Sequence, residues 1–178
     1  MKAAVCYEYG KPLVIEDVEI DSPGRDEVKI RLGATAVCHS DIHALKGELR
    51  VSLPTIAGHE SAGYVEEVGA DVANVKVGDL VVASLIQSCG ECPSCVSGLP
   101  HLCEGKAKLM RPHCRNKQGQ VVGRCGQVGG FAEYAITHKS QVVAVPKEIP
   151  VDAVSLLACG VITGFGAVVN RAKVPAMS

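Results

Sequence analysis

Four cysteines fall within one short stretch punctuated by Gly and Pro: Cys89-Gly-Glu-Cys92-Pro-Ser-Cys95, closed by Cys103. Thiolates so spaced suit a tetrahedral Zn²⁺ held at about 2.3 Å, and a cage of four sulfurs leaves no open position, so the ion expected there is structural. Disulfides fit less well, because the Cα atoms of a CxxC pair in a loop seldom meet bridging geometry. An iron–sulfur cluster also fits less well. The bacterial ferredoxin run is C-x₂-C-x₂-C-x₃-C-P, whereas here the last gap is longer and no Pro follows. A zinc-binding lobe over about residues 87–106 is therefore expected.

A second set of candidate ligands remains once those thiols are set aside. Cys38, His59 and Cys159 each stand where the chain changes from one element to another. Two thiolates and one imidazole leave the fourth position of a zinc ion open, which is what a catalytic site needs. Each residue also has an ordinary reading. A buried free Cys is usually a small core hydrophobe, and a lone His is often a satisfied core residue. Residue types alone leave both readings standing. Cys6, Cys114 and Cys125 have no assigned role beyond core packing.

The elements that position these residues are mostly short and β-rich. Leu13–Ile20 partly alternates apolar and acidic residues, Asp21–Asp26 is a Pro-Gly turn, and Glu27–Leu32 alternates cleanly, so strand, turn and strand point to a barrel or sandwich. Ser40 or Asp41 can cap a short helix. Strands are expected over 64–68, over 131–136 and over 141–145, a turn followed by a buried strand over 77–83, and residues 104–130 are read as a long surface loop. Pro150 and Asp152 open a helix over 154–158. Gly160, Gly164 and Gly166 interrupt it before a second helix that runs to Lys173. No G-x-G-x-x-G occurs, and Gly164-Phe-Gly166 lacks the third glycine of a phosphate loop.

Composition narrows the function classes. The 178 residues carry a net charge of −1 with no Trp, four Tyr and two Phe. Neither an electrostatic footprint nor a stacking platform for nucleic acid is present, and nothing draws the chain to an anionic membrane. No apolar run approaches the roughly 18 residues of a membrane span, and the first residues do not read as a signal peptide. Nine cysteines in such a chain read as reduced thiols and metal ligands of a cytoplasmic protein.

Several stretches together resemble one family. Gly33-Ala-Thr-Ala-Val-Cys38-His-Ser-Asp-Ile-His43, Gly58-His-Glu-Ser-Ala-Gly63, Val77-Gly-Asp-Leu-Val81, the four-cysteine lobe and Cys159-Gly-Val-Ile-Thr163-Gly-Phe-Gly166 follow the order of the zinc-dependent medium-chain alcohol dehydrogenases. The resemblance implies a mainly β fold with short helices, a GroES-like β-barrel carrying a zinc-binding lobe, with residues 1–178 forming the catalytic domain. Alcohol dehydrogenase is itself the standard instance of a Cys₂His catalytic zinc, so the ligand set Cys38, His59 and Cys159 comes from the resemblance and not from spacing. The same source implies Glu60 behind the zinc and Asp41 on the far nitrogen of His59. It places Ser40 at the bound alcohol, His43 at the outer end of a proton relay, Thr163 beside the nicotinamide and His39 facing the pyrophosphate. Leu49 and Leu85 correspond to substrate-lining positions.

The implied reaction is hydride transfer between an alcohol and its aldehyde or ketone and NAD or NADP, through a zinc-bound alkoxide. Members of the family are about twice as long and carry a Rossmann domain for the dinucleotide. This chain ends near where that domain's first strand is expected, so the cofactor-binding domain is expected to be missing and the chain to be a truncated product or a fragment. Uncovered barrel edges then favour self-association, and a homo-oligomer is among the expected partners. The rival reading is an inactive fragment or a zinc-stabilised structural or interaction module.

Overall fold

The structure, a computed structural model, describes residues 1–175. The first strands are β1 (Lys2–Cys6), β2 (Val14–Asp17), β3 (Glu19–Ile20) and β4 (Glu27–Ala36). They lead to helix α1 (His39–Lys46), the short β5 (Thr55–Ile56), β6 (Glu60–Val68) and β7 (Leu80–Ala83). The cysteine lobe follows with its single-turn helix α2 (Pro93–Val96), and then come β8 (Cys114–Arg115), β9 (Val121–Arg124), β10 (Tyr134–His138) and β11 (Val142–Ala144). Helices α3 (Val151–Leu156) and α4 (Gly160–Gly166) close the described chain, with a π-helical extension over Ala167–Ala172.

The strands form two curled sheets, ordered β2-β1-β5-β9-β8-β3 and β10-β4-β6-β7-β11. Residues 131–133 stitch them together. Ala4 N–H donates to Phe131 O and Glu133 N–H to Lys2 O on one side, while Leu32 N–H donates to Glu133 O on the other. Val28, Ile30, Val65, Val81 and Val128 form one buried core, built mainly on the five-stranded sheet, and Val5, Val18, Ile56, Cys114 and Val122 form a second. The result is the mainly β, GroES-like barrel expected from the motifs. Helix α3 lies across β4, β6 and β7, with buried Val154 packed against Ala62 and Leu80. No helix among the described residues is long and apolar enough to cross a membrane.

Four local expectations change. Helix α1 is capped by Cys38, not by Ser40 or Asp41; Asp41 sits in the first turn and its Oδ2 accepts the Cys38 N–H at 3.0 Å. The cap is thus a carboxylate reaching back, as in a capping box. Residues 104–130 are not merely surface loop, because β8 and β9 pair antiparallel there and β9 runs parallel to β5. Asn116 makes the hairpin: its Oδ1 accepts the N–H groups of Gln118 and Gln120, and its carbonyl accepts from Gly119. The strand expected over 131–136 forms over 134–138, since 131–133 is spent joining the sheets.

The fourth change is at the end of the chain. α3 starts at Val151, right after Pro150, and α4 runs unbroken through Gly164 and Gly166. Its side chains Val161, Ile162 and Phe165 are exposed, as are Val168 and Val169 beyond it. The expected approach to a further strand continues past Pro175, outside the described residues.

Two polar groups brace the barrel from within. Arg124 is sunk near the β9 end and donates to the carbonyls of Arg111, Gln127 and Ile136. Glu27, 3% exposed, accepts from His113 Nε2 at 2.9 Å and from Gly24 N–H at 2.7 Å.

Candidate metal centres

The cysteine lobe leaves the barrel after β7. Pro93 starts α2 directly behind Cys92, a position where its missing N–H costs nothing. The resulting turn folds Cys89, Cys92, Cys95 and Cys103 around one point, with every sulfur within 4.8 Å of the others. Cys89 and Cys95 sulfurs are 4.0 Å apart and those of Cys92 and Cys103 are 3.9 Å apart. Four sulfurs at about 2.3 Å from one tetrahedral zinc stand roughly 3.8 Å from each other, so the cage has the size the ion requires. All nine cysteines are free thiols.

Backbone N–H groups point at these sulfurs. Cys92 N–H donates to Cys89 Sγ at 3.4 Å and Cys89 N–H to Cys103 Sγ at 3.3 Å. The N–H groups of Cys95 and Glu104 bring Cys92 down to about 6. Cys95 is pushed up to about 12, by desolvation first and then by the adjoining thiols. Four thiols crowded this closely cannot all ionise without a cation among them.

The second group gathers residues from distant parts of the chain. Cys38 ends the loop after β4, His59 and Glu60 open β6, and Cys159 precedes α4; one donor atom from each lies within 4.8 Å of the others. Gly58 sets up His59. Its φ is +89° and a Cβ there would fall 2.7 Å from Phe131 Cδ1, so the chain can turn inward only with glycine. Asp41 is 1% exposed and orders the site. Its Oδ1 accepts from Gly58 N–H at 3.0 Å and lies 3.1 Å from His59 Nδ1. With Nδ1 so engaged, Nε2 of His59 is the nitrogen left for a metal.

Electrostatics agree with a cation in this group. Burial pushes the Cys38 thiol up, but Ser40, through its N–H and its hydroxyl, and His59 outweigh it and hold Cys38 below its usual range. Cys159 is raised by burial, and then by the negative charges of Cys38 and Glu60. His59 lies above its usual range because of its bond to Asp41. Two sulfurs, an imidazole and a carboxylate are the donor set zinc takes.

The remaining sequence candidates are distributed around this group. Ser40 is exposed on α1 with its hydroxyl toward the Cys38 sulfur. Thr163 donates its N–H to Cys159 O at 2.9 Å, and its side chain bonds the Cys159 thiol. Glu60 Oε2 accepts Gly160 N–H at 3.3 Å, joining β6 to α4. His39 and His43 lie on one face of α1 with ring centroids 4.7 Å apart. Leu85 and His59 both flank Gly126, where a Cβ would meet them at 3.0 and 3.2 Å. A cleft of ≈ 330 Å³ opens between Leu85, Gly126, Gln127 and Met110. Leu49 is exposed just past α1, bonded through its N–H to His43 O.

One neighbour went unread in the sequence, and another, Cys125, was read only as core packing. Glu48 bonds His43 Nδ1 directly, and its only sequence signal is its place five residues after His43. Cys125 sits beside Gly126, its thiol pushed up to about 11 by burial and then by the charges of Asp41 and Cys6.

With this geometry in hand, comparison with known proteins is decisive. The model of the alcohol dehydrogenase GroES-like domain matches residues 24–147. The chain belongs to that family. It is 38% identical to alcohol dehydrogenase B of Mycobacterium tuberculosis (strain ATCC 25618 / H37Rv), over 97% of this chain and 48% of the relative. It is 41% identical to the S-(hydroxymethyl)glutathione dehydrogenase of Saccharomyces cerevisiae (strain ATCC 204508 / S288c), over 97% of this chain and 47% of the relative. Among solved structures, the alcohol dehydrogenase zinc-binding domain protein from Burkholderia ambifaria superimposes with a TM-score of 0.88 at 35% identity, covering 95% of this chain and 48% of that one. Benzyl alcohol dehydrogenase from Acinetobacter calcoaceticus gives a TM-score of 0.84 at 32% identity, covering 97% and 48%. This alcohol dehydrogenase-family chain thus spans about half the length of the relatives it matches.

Proposed function

We propose that residues 1–178 form the catalytic domain of a zinc-dependent alcohol dehydrogenase, with a structural zinc in the lobe around 87–106 and a catalytic zinc on Cys38, His59 and Cys159. The observation that carries this reading is the convergence of Cys38, His59, Glu60 and Cys159 within 4.8 Å from separate parts of the chain. A zinc ion bound there supplies Lewis acidity, which eases loss of an alcohol's proton and polarises a carbonyl.

The chain's own residues supply the rest. Asp41 keeps the proton on Nδ1 of His59 and fixes the ring. Ser40 takes up the proton of the substrate hydroxyl, and His43, oriented by Glu48, releases it to water. An imidazole, which can both accept and give up a proton, suits that task. Leu49 and Leu85 offer apolar contact to an alcohol, aldehyde or ketone. Thr163 and His39 would meet the nicotinamide and the pyrophosphate of NAD or NADP, which would supply the hydride chemistry. The nine unpaired thiols fit a reducing compartment such as the cytoplasm.

The test is native mass spectrometry of the zinc-loaded protein together with an assay for alcohol-dependent reduction of NAD and NADP when a Rossmann-bearing partner is supplied. Two ions in the wild type, one in His59→Ala, and hydride transfer abolished in that variant support the reading. Two ions with no hydride transfer to either nucleotide, from primary or secondary alcohols, overturn it and leave a zinc-stabilised module.

A further inference from the structure

We propose that His39 and His43 form a third metal site, a surface chelate for one divalent transition-metal ion such as Zn²⁺, Ni²⁺ or Cu²⁺. The two residues are four apart on α1, the spacing that brings side chains together on one helix face, and the spacing by which helices present paired imidazoles to zinc. Their ring centroids are 4.7 Å apart with planes inclined at 47°. Two imidazoles sharing one ion through bonds of about 2.0–2.1 Å have centroids roughly 4.5–5 Å apart, so the ring separation is one that a shared ion allows.

Glu48 completes the arrangement. Its carboxylate bonds Nδ1 of His43, which fixes that ring, makes it a better donor and leaves Nε2 for the ion, the carboxylate–histidine–metal pattern. Imidazole donors suit zinc, copper and nickel. The pair lies outside both four-residue clusters. His39 is exposed and His43 is half-buried, so an ion can enter from solvent.

One consequence rests on the proposed function. If His43 releases the reaction's proton and His39 faces the cofactor, one ion on the pair withdraws both at once. Occupancy of this chelate then regulates the enzyme by inhibiting it.

Calorimetric titration of Ni²⁺ into the zinc-loaded chain tests the site, above the usual imidazole pKa of about 6.5. One Ni²⁺ per wild-type chain is expected, lost in His39→Asn and in His43→Asn and weakened roughly 10-fold or more in Glu48→Gln. A Ni²⁺ isotherm unchanged in His39→Asn overturns the site. Side-chain NMR with Zn²⁺ provides a second reading: both imidazoles must shift together, and movement of one ring alone also overturns it. These readouts need no turnover. Hydride transfer that persists at saturating Ni²⁺ overturns the regulatory consequence and leaves the Cys38–His59–Cys159 reading untouched.

Discussion

The carboxylate of Asp41 stands 3.1 Å from Nδ1 of His59 while it also accepts the N–H groups of Cys38 and Gly58. One buried side chain therefore aligns two of the gathered donor residues, through the backbone of one and the ring of the other. Burial alone would raise the Asp41 carboxyl, but those three donors hold it below its usual range.

Asp41→Ala removes the acceptor and strands three donors. A loss of roughly 3–5 kcal/mol in folding stability is expected, the scale for breaking a buried charged pair. Urea unfolding reads the stability. Zinc competition with a chelator reads the second effect, an affinity at the His59 site lower by about 10–100-fold. An Asp41→Ala protein as stable as wild type would show that water replaces the carboxylate.

Glu27 predicts an acid limit. Burial pushes its carboxyl up, but the His113 hydrogen bond, the Gly24 N–H and the charges of His113 and Arg111 outweigh burial and hold it below its usual range. A depressed carboxyl adds stability in full above its unfolded pKa of about 4.3, and that stability is lost as pH falls through the lower folded value. Melting temperature should thus fall below about pH 4.5. In Glu27→Gln the melting temperature should start lower and fall less steeply. Parallel curves for the two proteins would remove Glu27 from the account.

The lobe predicts an order of thiol reactivity. Before metal is added, Cys92, held at about 6, is largely thiolate at neutral pH, whereas Cys95, near 12, and Cys125, near 11, are not. Brief alkylation with iodoacetamide followed by peptide mass mapping should label Cys92 ahead of Cys95 and Cys125, and zinc should protect it. Labelling of Cys125 first would contradict the hydrogen bonding described for the lobe.

Gly58 tolerates no side chain. Its φ of +89° and the 2.7 Å approach of Phe131 Cδ1 to a would-be Cβ combine a backbone penalty with a clash. Gly58→Ala should lose about 2 kcal/mol or more, read as a lower urea midpoint. It should also shift the amide resonances of His59 and Asp41. An unchanged midpoint would mean that Phe131 moves aside freely.

The barrel class and the lobe thiols were legible in alternation and spacing, whereas Cys38, His59 and Cys159 were named only through the family resemblance. Alternation in Glu27–Leu32 marked β4, and the spacing of Cys89, Cys92, Cys95 and Cys103 marked the lobe. What was hidden depends on three-dimensional contact. Residues 104–130 looked like loop because β8 and β9 are too short to show alternation, and their hairpin rests on Asn116 bonding its own backbone. Glu48 was unread because nothing in sequence says that the chain turns back at Gly47, in a left-handed conformation, to bring it against His43. The glycines of α4 read as breaks, yet the helix passes through both.

The donors of the two clusters are spread differently along the chain. The lobe thiols all lie between Cys89 and Cys103, so closing them on one another needs only short loops. Cys38 and Cys159 stand far apart in the sequence, one before the strands β5–β11 and the other after them. Loop-closure entropy rises with the length enclosed, and during synthesis the N-terminal part emerges first. The lobe can thus gather its thiols while the chain is still being made. The His59 cluster instead rests on a closure that spans most of the chain, from Cys38 to Cys159.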